Sequence, residues 1–190
     1  MPKAYLFDLD GTLVYTDPLH LDLWKTILST YGIELTESLY HEQIRGKSDT
    51  SIWQAFGVGT DQERAHWTQW KEHEFERRVM ETIPVEGGKE FIQQLERVAV
   101  VTNSNQKTAT LLLSRLGIDV SVLVTADCCP EPKPSPRPYL MAMEKLGVVP
   151  EDTVIFEDSP VGIQSALAAK PSQVYVIRTG HVYNNFILSV

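Results

Sequence analysis

Apolar residues fall along this chain in two rhythms. Residues 4–7, 98–101, 122–125, 153–156 and 174–177 are short runs rich in β-branched and aromatic side chains, as expected of strands buried on both faces of a parallel sheet. Between them the spacing becomes helical. Residues 106–116 carry apolar positions three and four apart and stop at Gly117, residues 138–146 open with prolines and stop at Gly147, and residues 160–169 follow the fourth run. Proline at a helix start and glycine just past its end are the expected punctuation. Alternation of strand and helix predicts an α/β fold with a doubly wound parallel sheet.

Residues 16–83 break this rhythm. Leu19, Leu23, Trp24, Ile27, Leu28 and Tyr31 form one apolar helix face, opened by Thr16 and Asp17 with Pro18 and closed at Gly32. A second helix is predicted to start near Thr36, a third to run from Ser48 or Asp49 to Phe56, and a long fourth from Asp61 to about Met80. Sixty-eight residues of helical pattern between the first two strands exceed what a crossover needs. They predict a helical cap (16–83) inserted into a core made of 1–15 and 84–190. No internal repeat or low-complexity stretch is present.

Composition narrows the partners. A length of 190 residues suits one catalytic domain with a modest insertion. The formal net charge is -8 with no Lys/Arg-rich stretch, which argues against nucleic acid or an anionic membrane surface. No apolar run approaches the roughly 18 residues of a membrane span, and Met1-Pro2-Lys3 leads straight into the first strand, so no signal peptide is expected. The two cysteines, Cys128 and Cys129, are adjacent. That pattern builds neither a disulfide framework nor a zinc site and fits a reducing cytoplasm. A monomer is the favoured state.

Candidate chemistry sits where the apolar runs end. The first runs into Asp8-Leu9-Asp10-Gly11-Thr12. Carboxylates two apart on a strand point the same way, toward the sheet's carboxyl edge, and invite a cation between them. A lone D-x-D would serve equally as a polar strand end entering a turn; the longer string is more specific. The second run ends in Thr102-Asn103-Ser104, a phosphate cradle or an ordinary helix cap. Lys133 stands in a loop with Pro132, Pro134 and Pro136, and the fourth run ends in Glu157-Asp158. Four polar clusters at successive strand ends form one constellation.

In their order and coverage these four motifs resemble the haloacid dehalogenase superfamily, in the branch whose helical cap follows the first motif. The resemblance implies a Rossmann-like core with a four-helix cap. It implies Asp8 as the nucleophile that becomes an aspartyl-phosphate, and Asp10 as general acid and base. It implies Mg²⁺ bound through Asp8, the Asp10 carbonyl and Asp158, with Glu157 as a direct or water-mediated partner. Thr102, Asn103 and Lys133 would neutralise the transferring phosphoryl group.

The cap would choose the substrate, a small phosphorylated metabolite. Thr16-x-x-x-His20 and Arg45-Gly46-Lys47 resemble the corresponding segments of β-phosphoglucomutase and related sugar phosphatases. Lys71 is a further cap candidate, its plain alternative being a solvated helix lysine, and a surface histidine is the alternative for His20. The mutase depends on a cap arginine at the position of Asp49, and an acid there would repel a second phosphate, so a phosphatase is expected. A phosphosugar mutase and a catalytically silent binding protein on the same fold are the alternatives. The tail after Gly180 has no assignment.

Overall fold

A computed structural model describes residues 3–178; the tail after Gly180 lies outside the described residues. A five-stranded parallel sheet runs in the order β5-β4-β1-β6-β7, built from β1 (Ala4–Phe7), β4 (Val98–Val101), β5 (Val122–Val124), β6 (Thr153–Glu157) and β7 (Gln173–Val176). β1 is central, pairing Tyr5 with Val98 on one side and with Val154 on the other.

Unbroken apolar runs make sense once both faces are covered. In β1 and β4, Phe7, Val98 and Val100 point into one cluster with Leu112 and Phe156, while Ala4, Leu6, Ala99 and Val101 point into another with Tyr139, Ala142 and Met143. Successive residues thus feed opposite cores, as the two-residue period of a strand requires. Helices α5 (Gly88–Ile92) and α6 (Gln106–Leu116) contribute to the first cluster, and α7 (Arg137–Leu146) and α8 (Pro160–Ala168) to the second. The short α5 fills the stretch before β4, where the sequence pattern alone gives no element.

The helical insertion consists of α1 (Asp17–Ser29), α2 (Glu37–Gln43), α3 (Asp49–Phe56) and α4 (Asp61–Arg78). Its own core joins Trp24, Ile27, Leu28, Tyr40, Ile52 and Trp53. Thr36, Ser48 and Thr60 each cap the next helix, accepting from the amides of Leu39, Ser51 and Glu63. Thr60 and Glu63 complete a reciprocal capping box. α4 ends at Arg78, two residues short of the expected Met80, and tightens into a 3₁₀ turn over Val79–Glu81. The chain leaves the core through β2 (Val14–Tyr15) and returns through β3 (Ile83–Pro84), which pair antiparallel, Val14 opposite Pro84. Two residues per strand are too few for any periodicity, so this ribbon has no signature in sequence.

Candidate active site

The carboxyl ends of β1, β4 and β6 converge. Asp8 continues the ladder of β1, its amide donating to the Phe156 carbonyl at 2.9 Å. The carboxylate oxygens of Asp8, Glu157 and Asp158, all buried, lie within 4.8 Å of one another. Three like charges out of water repel strongly. Lys133 offsets them: its buried ammonium donates to Asp8 Oδ1 at 2.7 Å, to Glu157 Oε1 at 2.6 Å and to the Val101 carbonyl at 2.8 Å. Those contacts use all three of its protons. The loop backbone that carries Lys133 is gripped by Asn103, whose side-chain carbonyl accepts from the Lys133 amide at 3.0 Å and whose Nδ2 donates to the Lys133 carbonyl at 3.2 Å.

Glu157 is held from every side. Tyr139 Oη donates to its Oε1 at 2.8 Å, while Oε2 accepts from the Asp158 and Ser159 amides and the Ser159 hydroxyl. A Cβ at Gly162 would stand 1.8 Å from Oε1, so only glycine lets helix α8 start this close to the acid. With five donors counting Lys133, the Glu157 carboxylate has little capacity left. Asp8 differs: its Oδ2 is buried with no hydrogen-bond partner among the described residues. Burial and the Glu157 charge push the Asp8 carboxyl well above the usual range, against the opposing pull of Lys133. Burial and the same neighbour raise Asp158 to about 7, with Arg45 opposing.

Asp10 lies in a different environment. Thr16 Oγ1 and Ser104 Oγ each donate to it at 2.7 Å, Thr102 Oγ1 lies at 3.3 Å and His20 Nε2 at 3.4 Å. Burial alone would raise its pKa; the His20 contact and the Ser104 and Thr16 hydroxyls outweigh it and bring the carboxyl down to about 2. The two neighbouring carboxyls are thus shifted in opposite directions, Asp8 up and Asp10 down.

The helical insertion supplies the opposite wall. Arg45 donates to Asp17 Oδ2 at 2.9 Å and to Asp158 Oδ2 at 2.5 Å, and the Gly46 carbonyl accepts from Asn103 Nδ2 at 2.9 Å. A Cβ at Gly46 would stand 2.7 Å from the Ser159 side chain. Lys47 borders the same cavity, its ammonium donating to the Glu42 carbonyl near the end of α2 at 3.0 Å. Lys71 is buried rather than solvated: it pairs with Asp49 at 2.5 Å and lies 5.2 Å from the centre of the Trp24 ring. A cavity of about 210 Å³ is lined by Asp8 and Asp10 and by these residues of the helical insertion.

The structure thus gathers Asp8, Asp10, Thr102, Asn103, Lys133, Glu157 and Asp158 at one edge, with Thr16, His20, Arg45, Gly46 and Lys71 facing or bordering them. Lys47 also lines the cavity, with its ammonium on the Glu42 carbonyl. Sequence reasoning missed Tyr139 and Asp17, and read Ser104 only as part of the cradle. Tyr139 is interior to an amphipathic helix, where a core aromatic is the default reading. Asp17 looks like an ordinary first-turn acid.

Comparisons with known proteins agree with this geometry. A family model for haloacid dehalogenase-like hydrolases matches residues 5–176. A phosphorylated carbohydrates phosphatase of Thermotoga maritima is 31% identical over 184 residues, covering 91% of this chain and 84% of that protein. A fructose-1-phosphate phosphatase of Escherichia coli is 28% identical, covering 86% of this chain and 90% of its own length. Among solved structures, a β-phosphoglucomutase of Clostridium difficile superposes with a TM-score of 0.80 at 23% identity, covering 97% of this chain and 87% of that one. At that identity the likeness speaks to fold.

Proposed function

This chain belongs to the haloacid dehalogenase-like hydrolase family, and from that premise we propose that it is a Mg²⁺-dependent phosphatase of small sugar phosphates. Asp8 is the nucleophile, and residues 16–83 act as a cap over it. The observation that carries this reading is the unpartnered Asp8 Oδ2, buried beside Asp158 and opposite a lysine that fixes the other oxygen.

The donor set fits a hard divalent cation. An orphaned buried carboxylate oxygen and neighbouring acids call for a positive charge, and oxygen ligands suit Mg²⁺. Asp8, Asp158 and the Asp10 carbonyl would hold it, with Glu157 behind them as an orienting group because its own oxygens are already engaged. When bound, the ion supplies charge neutralisation for the phosphoryl group and the nucleophile.

The chain's own residues do the rest. Lys133 keeps Asp8 oriented and favours its ionised form. An oxygen of Asp8 bonds to phosphorus as the ester P–O bond breaks, and the leaving alkoxide takes a proton from Asp10. Water then attacks the aspartyl-phosphate, Asp10 recovers the proton, and phosphate and the free carboxylate are released. With its pKa near 2, Asp10 is a carboxylate in the free protein. An arriving phosphoryl dianion raises that pKa, so Asp10 becomes an acid only with substrate in place. Thr16, His20, Thr102 and Ser104 hold it in position for both steps. The relatives named for phosphorylated carbohydrates and fructose 1-phosphate support a sugar phosphate as substrate.

Phosphate release from a panel of sugar phosphates, with and without Mg²⁺, tests this reading. Release is expected to require Mg²⁺ and to vanish in Asp8→Asn. Conversion of β-glucose 1-phosphate to glucose 6-phosphate without free phosphate would replace it with the mutase reading, and no turnover of any ester would leave a silent binding protein.

A further inference from the structure

The end of the cavity away from Asp8 is finished by a charge pair. Asp49 opens α3 and Lys71 lies mid-way along α4, and their side chains meet at 2.5 Å in the cavity wall. The Lys71 ammonium is buried, with Asp49 as its ion-pair partner and the Trp24 face 5.2 Å from it. Glu72, beside it in the same wall, accepts from Asn105 at 2.6 Å. Two further cations line the cavity, Arg45 paired with Asp17 and Asp158 and Lys47 resting on the Glu42 carbonyl. Lys71, Asp49 and Glu72 set two acidic side chains against one basic one. Within this patch of wall, Lys71 is the one cation among the described residues and it faces two acids.

We infer that the Asp49–Lys71 pair selects the substrate's unphosphorylated end, admitting a neutral polyol and rejecting a second phosphate or a carboxylate. The inference rests on the phosphatase reading and deepens it. A carboxylate and an ammonium side by side match adjacent hydroxyls, one donating to Asp49 and the other accepting from Lys71. A terminal phosphate or carboxylate would face Asp49 and Glu72, and like-charge juxtaposition in a partly desolvated wall is strongly unfavourable. Lys71 cannot answer it, because its charge is already balanced.

The test compares open-chain esters that differ only at the far end: sorbitol 1-phosphate against sorbitol 1,6-bisphosphate, and sorbitol 6-phosphate against 6-phosphogluconate. In the wild type, kcat/KM is expected to favour the neutral-ended ester by at least about tenfold. Asp49→Asn frees the Lys71 cation while keeping side-chain shape, and should move the ratio at least about tenfold toward the acidic-ended esters. The same substitution in a Lys71→Gln background should produce no such shift. A relative gain for one ester cannot come from misfolding, and the wild-type ratio needs no variant at all. Equal turnover of both members of each pair would overturn the inference, as would an unmoved ratio in Asp49→Asn or a gain that survives without Lys71. Wild-type protein that releases phosphate from no ester would remove the phosphatase reading itself, and this inference with it.

Discussion

Replacing Lys133 with methionine keeps a side chain of similar length and removes only the charge and its hydrogen bonds. Two buried carboxylates, Asp8 at 2.7 Å and Glu157 at 2.6 Å, then lose their shared counter-ion, and the Val101 carbonyl loses a donor. Breaking a buried ion pair from one side costs about 3–5 kcal/mol, a large fraction of the roughly 5–15 kcal/mol that holds a domain folded. With a urea slope of about 2 kcal/mol/M, the unfolding midpoint should fall by about 1.5–2.5 M at pH 7.5. The pH dependence follows from sign. Asp8 already has a carboxyl pKa raised in the folded state, and loss of Lys133 raises it further. An acid with a raised folded pKa takes up a proton on folding, so its penalty is complete above the folded pKa and fades as pH falls toward the ordinary carboxylate value. Metal-free Lys133→Met should therefore recover much of its deficit at pH 5.5, and so should Asp8→Asn combined with Lys133→Met at pH 7.5. Urea titrations read by tryptophan fluorescence decide it. A midpoint unchanged at pH 7.5, or a deficit equally large at both pH values, would refute the claim that Lys133 is there to neutralise buried acids.

Two further substitutions probe the frame around the site. Gly11→Ala places a Cβ 2.1 Å from Asp158 Oδ2 at a backbone φ of +89°, and should weaken Mg²⁺ binding at least about tenfold; a Mg²⁺-dependent melting shift identical to wild type would show that Asp158 does not need its present position. Arg115 donates to the Thr82 carbonyl at 2.7 Å and hydroxyl at 3.1 Å, tying α6 to the segment that enters β3. Arg115→Ala should cost about 1.5–3 kcal/mol of local stability and speed amide exchange at Thr82, Ile83 and Val85 by about tenfold or more, and unaltered exchange there would dismiss the tie.

What could be read from the sequence was whatever has a period or a cap. The parallel strands showed as unbroken apolar runs because each feeds two cores. The second and third helices of the insertion showed because Thr36 and Ser48 stand where caps belong. The motif residues were legible because four of them end strands that the topology must align. The ribbon of Val14–Tyr15 with Ile83–Pro84 was not, since its pairing is wholly non-local. Nor was the burial of Lys71, which depends on Asp49 arriving from another helix. Tyr139 reads as core from its helical position, and only the fold brings its hydroxyl to Glu157.

That ribbon also bears on how such a chain can change over generations. The helical stretch leaves and rejoins the sheet domain at facing residues, Val14 and Pro84, a strand's width of roughly 5 Å apart. An insertion with adjoining ends is nearly invisible to its host: a tight turn in its place would let the five strands pair in the same order. Its whole length is also one continuous stretch of coding sequence. A single recombination event can exchange the cavity wall that Arg45 and Lys71 belong to while Asp8, Lys133, Glu157 and Asp158 are inherited intact. The architecture lets one wall of the cavity be replaced while the other stays as it is.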